Sequence, residues 1–141
     1  MTQNRYSDAD CAAVYRAIYE RRDMRHFLSG PIDPEILNRL LDAAYHAPSV
    51  GFMQPWRFVR ISCPDLRKVI HALVEKERIS TAKALNERED EFMKQKVEGI
   101  LECGIVLVAA LCEQREQYVF GRRTLPEMDL ASLACAIQNV I

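Results

Sequence analysis

Only two stretches of this 141-residue chain carry the pattern of β-strand, and that scarcity limits what it can fold into. Trp56-Arg57-Phe58-Val59-Arg60-Ile61-Ser62 alternates apolar with polar side chains, the period of a strand with one buried face. Gly104-Ile105-Val106-Leu107-Val108-Ala109-Ala110-Leu111 is a continuous β-branched and aliphatic run, which fits a central strand covered on both sides. Two strands rarely stand alone. The rest of the pattern is helical, so the expected class is α+β, a mixed or antiparallel sheet flanked by helices. More sheet is expected from missing sequence or from a partner chain.

The helices announce themselves by their ends. Ser7 with Asp10 three residues on resembles a capping pair, and Cys11, Val14, Tyr15 and Ile18 mark one apolar face of a first helix reaching about Arg21. Asp33-Pro34 is a start signal, an N-cap followed by proline at the first helical position. Ile36, Leu37, Leu40, Leu41 and Ala44 then hold helical spacing until Pro48. Pro64-Asp65 opens a third helix through Leu66, Val69, Ile70, Leu73 and Val74. Residues 75–96 are densely charged with both signs interspersed, the mark of a solvated helical excursion or a lid. The last stretch, 127–141, is helix-like and stops on apolar residues without a glycine, an asparagine turn or a cationic last turn. It reads as a truncation, so residues 1–141 are expected to form one partial domain.

Net charge is −1, which gives no broad positive field for nucleic acid or an anionic membrane. The start is polar and no apolar run approaches the roughly 18 residues that suggest a membrane span, so the expected address is the cytoplasm. Cys11, Cys63, Cys103, Cys112 and Cys135 form no C-x-x-C pair and are odd in number, against a zinc site or a disulfide framework. His26, His46 and His71 show no ligand spacing, and no metal is expected. Hydrolase, P-loop and Rossmann motifs are absent.

The segment with the most chemical content is Arg21-Arg22-Asp23-Met24-Arg25. Guanidinium groups are planar, permanently charged and fork-shaped, so several converging on one point make a site for phosphate or another multi-oxygen anion. If the segment were helical, the spacings of three and four would let two or three arginines face one ligand. A solvated helix end, favoured by the macrodipole, has the same composition. Asp23 separates the two, because an acid inside a phosphate cluster weakens phosphate binding unless it has a task of its own. A second motif follows: Ala47-Pro48-Ser49-Val50-Gly51-Phe52-Met53-Gln54-Pro55-Trp56. Ser49 offers a hydroxyl, Gly51 close approach and Gln54 an amide, which suits the edge of a flat polar ring, with Phe52, Met53 and Trp56 as candidate apolar walls. Taken alone it is equally a helix-to-strand connection with an aromatic anchor. Gly121-Arg122-Arg123-Thr124 adds two cations in a loop, or a turn with surface arginines.

Together with Val119-Phe120-Gly121-Arg122-Arg123-Thr124-Leu125-Pro126-Glu127-Met128-Asp129, these motifs closely resemble the BluB-type 5,6-dimethylbenzimidazole synthases, a branch of the nitroreductase superfamily. The similarity runs from about Tyr15 to the last residue. Aspartate at position 23, where other branches commonly carry serine, points to the flavin-consuming branch. The resemblance implies a nitroreductase-like, FMN-binding α+β fold whose two chains exchange segments and hold flavin at the dimer interface. It implies fragmentation of reduced FMN by molecular oxygen to give 5,6-dimethylbenzimidazole, the lower ligand of cobalamin, with FMN as substrate. Arg21, Arg22 and Arg25 would bind phosphate and ribityl oxygens, with Met24, Ser49 and Gln54 as further flavin contacts. Asp23, kept ionised by its arginines, would be the catalytic base. Other readings are an FMN-dependent NAD(P)H nitroreductase and a non-enzymatic flavin-binding fragment.

Overall fold

The structure, a computed structural model, describes residues 5–112 and 125–141. Six α-helices and two strands follow in the order α1 (Asp8–Glu20), α2 (Pro34–Tyr45), β1 (Trp56–Ile61), α3 (Pro64–Ala84), α4 (Glu89–Met93), α5 (Gly99–Glu102), β2 (Val106–Leu111) and α6 (Glu127–Val140). Short 3-10 turns lie at Val50–Phe52 and Asn86–Arg88. None of the helices among the described residues is long and apolar enough to cross a membrane.

Local chemistry sets the helix starts as expected. The Ser7 hydroxyl accepts the Asp10 N–H at 3.1 Å while the Asp10 carboxylate accepts the Ser7 N–H at 3.3 Å, a reciprocal cap on α1. Asp33 accepts the Glu35 N–H at 2.9 Å and Pro34 takes the first position of α2. The third helix runs further than its apolar spacing indicated. It absorbs the first ten residues of the charged segment, because nothing between Glu75 and Ala84 breaks a helix. The remainder folds back on α3: Arg78 pairs with Glu75 at 2.6 Å and donates to the Met93 and Gln95 carbonyls at 2.8 and 3.0 Å. One guanidinium thus satisfies the carbonyls that follow α4.

β1 and β2 pair antiparallel, Trp56 opposite Leu111 and Ile61 opposite Val106. The Trp56 and Phe58 side of this ribbon meets α2 and α6, where Trp56 and Ala136 are fully buried among Ala44, Ala47 and Leu133. Three alanines at this junction let both helices approach the indole closely. The opposite side is open at its middle, where Val59 and Val108, directly opposed, are 49% and 41% exposed, while Ile61 at its end is buried. The expectation that β2 is covered on both sides is therefore not met among the described residues. Apolar β-branched composition reports a strand's preference for burial, and the covering layer has to come from elsewhere. The apolar face expected on α1 is likewise exposed, since no residue of that helix is buried.

After α1, residues 21–29 form neither helix nor strand, and the segment packs on two glycines through Phe27 and Gly30. A Cβ at Gly104 would collide with the Gly30 carbonyl, and one at Gly99 would lie 2.6 Å from the Phe27 ring. Gly104→Ala has backbone in its way and no flexible side chain to displace. We expect it to lower stability by about 1–3 kcal/mol and to lift the 25–32 segment off the body. Urea unfolding together with limited proteolysis at Arg25 checks this; an unchanged midpoint and cleavage pattern would show that the docking is not as drawn.

Candidate functional site

The arginine segment does not present its cations on a helix. α1 ends at Glu20, and Arg21 turns out with φ −53° and ψ 134°. The reason is visible in Arg22, whose guanidinium donates back to the Tyr19 and Arg21 carbonyls at 2.9 and 2.8 Å and occupies acceptors that the helix end leaves open. Arg22 is therefore a helix-terminating residue in this chain, and its convergence on a shared ligand, expected from helical spacing, is not what the geometry shows. Arg21 instead donates to Asp23 at 2.7 Å. That hydrogen bond and the Arg21 charge, with a smaller contribution from Arg25, hold the Asp23 carboxyl below its ordinary value. The carboxylate is thus an acceptor at neutral pH while three-quarters of its side chain faces solvent.

Arg25 makes no hydrogen bond or ion pair among the described residues, which leaves its fork available to an anion. With Met24 and Phe27 it lines a cleft of about 170 Å³ closed by Val74 of α3, Lys96, Val97, Gly99 and Ile100. Such a cleft accommodates a phosphate-sized group. Enclosing a flavin takes about 300–1,000 Å³.

The second motif lies between α2 and β1. There the Ser49 hydroxyl accepts the Gln54 N–H at 3.1 Å and the Gln54 side chain donates to the Tyr45 carbonyl at 2.9 Å. Gly51, Phe52 and Gln54 all have left-handed φ, +56°, +53° and +46°. For the two non-glycine residues that conformation costs on the order of 1 kcal/mol each and persists only where surroundings enforce it. Of the candidate apolar walls, only Phe52 is presented outward, at 81% exposure. Met53 and Trp56 are buried in the core, so their role as ligand walls is withdrawn. No hydrogen bond or ion pair among the described residues joins the Arg21–Arg25 segment to Ser49 or Gln54.

A residue that sequence reasoning missed is Ser132. It is buried on α6, where it accepts the Val50 N–H at 3.2 Å and donates to the Met128 carbonyl at 2.6 Å. Its only signal in the sequence is a hydroxyl next to Leu133 in an apolar helix. The Gly121-Arg122-Arg123-Thr124 cations lie outside the described residues. Among the described residues no three His, Cys, Asp or Glu side chains gather to hold a metal, and all five cysteines are free.

An α+β body carries the arginine-rich arm and the strained, hydroxyl-bearing loop before β1, and a family model described as the nitroreductase family matches residues 18–141. This chain belongs to the nitroreductase family. Within it, the chain is 40% identical over 124 residues to the 5,6-dimethylbenzimidazole synthase of Rhodospirillum rubrum, covering 85% of this chain and 58% of that protein. It is 32% identical over 132 residues to the enzyme of the same name from Rhodobacter capsulatus, covering 91% of this chain and 63% of the relative. The chain thus spans about three-fifths of the length of these curated relatives. Among solved structures, a BluB-like flavoprotein from Clostridium difficile 630 superposes with a TM-score of 0.66 at 20% identity, over 90% of this chain and 67% of that one. An iodotyrosine deiodinase bound to FMN and 3-iodo-L-tyrosine does so with a TM-score of 0.64 at 22% identity, over 89% and 68%. These confirm the nitroreductase-like fold that the motifs implied.

Proposed function

We propose that this chain carries the flavin-handling part of a 5,6-dimethylbenzimidazole synthase, an oxidoreductase that takes reduced FMN as substrate and molecular oxygen as co-substrate and serves cobalamin biosynthesis. The observation that carries the reading is Asp23, an arginine-held carboxylate in a chain that is 40% identical to such a synthase. When bound, reduced FMN supplies both the electrons for oxygen and the ring that is fragmented. The protein's part is to grip, orient and move a proton.

Arg25, with its donors unused, and the donors of Arg21 not engaged by Asp23 fit a phosphate and the ribityl oxygens. Asp23 accepts a proton from the substrate, its ionised state being maintained by Arg21. The Ser49 hydroxyl hydrogen and the Gln54 side-chain oxygen serve the ring edge, with Phe52 over its face. Because the Arg25 cleft is too small for a flavin, the site is completed by a second copy, the arm of one meeting the loop of the other. The open apolar face of α1 fits such a homodimer. The charged segment that follows α3 is the candidate lid, excluding water that would divert the oxygen chemistry.

The decisive assay adds reduced FMN in air and separates the products by chromatography. Dimethylbenzimidazole is expected. Sustained NAD(P)H oxidation with intact FMN would replace the proposal with a cycling nitroreductase, and intact oxidised FMN with neither would leave a non-enzymatic flavin binder. Arg25→Ala should weaken FMN binding by about 10–100-fold, the range of a charge-assisted hydrogen bond, and leave riboflavin binding alone. Flavin fluorescence titration reads both; equal losses for the two ligands would move Arg25 away from the phosphate.

A further inference from the structure

Helix α6 holds one polar contact that the flavin reading does not use. Ser132 is 4% exposed, and its hydroxyl has both roles filled: it accepts the Val50 N–H at 3.2 Å and donates to the Met128 carbonyl at 2.6 Å. The helix beneath it is immobilised by Leu133 and Ala136 in the core and by Asn139, which donates to the Ala43 carbonyl of α2 at 2.9 Å. The loop above it is the one with three left-handed residues, where Ser49 is tied to Gln54 and Gln54 back to the Tyr45 carbonyl of α2. The Ser132 hydroxyl ties this loop to α6.

We propose that Ser132 is a positioning residue that sets the ring-facing conformation of the loop from Ser49 to Gln54 through the Val50 N–H. The inference rests on the reading that this loop lies along the flavin. Without an acceptor for Val50, a conformation that needs Phe52 and Gln54 at positive φ has less to hold it and relaxes. Ser49 and Gln54 then meet the ring at the wrong angle although neither has been changed.

Two substitutions cut the same bond from its two ends. Ser132→Ala removes the acceptor. Val50→Pro removes the donor and puts the proline Cδ where the N–H pointed, so the Ser132 hydroxyl must turn away; the backbone accepts it, since Ser49 is extended at φ −144° and ψ 148°, as suits a residue before proline, and position 50 opens a helical turn. The full chain is titrated with oxidised FMN, following fluorescence and visible circular dichroism, with far-UV circular dichroism and thermal unfolding as controls. Each single variant is expected to bind FMN roughly tenfold more weakly, with an altered dichroic band, at temperatures where it remains folded. Ser132→Ala placed on Val50→Pro should add no further loss, since the bond is already gone. Amide exchange at Val50 in the flavin-free protein should speed up in Ser132→Ala. If Ser132→Ala does not fold, Val50→Pro alone decides. Unchanged FMN affinity and spectrum in the variants, or fully additive losses, would overturn the role of Ser132 while leaving the proposed function standing. Failure of the unsubstituted chain to bind FMN would instead remove the flavin reading, and this inference with it.

Discussion

Asp23→Asn is expected to lower the proposed dimethylbenzimidazole formation by on the order of 10²–10⁴-fold, while FMN affinity stays within a few-fold of the original. The asparagine keeps size and polarity, so it can still accept a hydrogen bond from Arg21, yet it cannot take a proton. Since Arg21 and Arg25 lower the Asp23 pKa from its ordinary 3.8, the group is a carboxylate throughout the neutral range and down through mild acid. The sign follows: activity that depends on this base is present above the lowered value and is lost only as pH falls through it. Arg21→Ala should bring that acid limb of the profile up toward the ordinary carboxylate range. Product analysis and a pH–rate profile check both statements. Undiminished product from Asp23→Asn, or a limb that Arg21→Ala does not move, would take the carboxylate out of the mechanism.

The largest effect on folding is expected at Trp56. This indole is fully buried where α2, α6 and β1 meet, and its neighbours Ala44, Ala47 and Ala136 are too small to collapse into the space it would leave. Trp56→Ala should cost about 3–5 kcal/mol, a large fraction of the roughly 5–15 kcal/mol that holds an ordinary domain together. The indole N–H has no acceptor among the described residues, so the ring contributes through packing. Trp56→Phe, which keeps most of the apolar volume and deletes that N–H, should therefore cost only about 1–2 kcal/mol. Urea unfolding of the two variants gives the ratio; equal losses would mean that the N–H has a partner worth as much as the packing.

Trp56 also shows where sequence reading reached its limit. The motif Pro55-Trp56 at the entrance of a strand left open whether the ring walls a ligand or anchors the connection, because an aromatic side chain beside a polar loop suits both. What decided it was Leu133 and Ala136 from α6, far along the chain, closing over the indole. The arginines illustrate a different limit. Their spacing would converge on a helix, but Arg22 reaches back to the carbonyls of Tyr19 and Arg21 and α1 ends at Glu20. The Arg21–Asp23 pairing was legible in kind, since an acid between arginines has to be ionised; its geometry was not.

The amino-acid order by itself determined the helix starts at Ser7 and Asp33-Pro34, both strands, and the nitroreductase character of the motifs. Each of those rests on chemistry within four residues or on a period of side chains, which is written locally. Only the tertiary structure decided that Val59 and Val108 stay exposed on the β-ribbon, that Met53 and Trp56 are core, that Arg22 turns back on the end of α1, and that Ser132 reaches Val50. Burial and long-range hydrogen bonds depend on which distant segment arrives at a surface, and no local pattern carries that information.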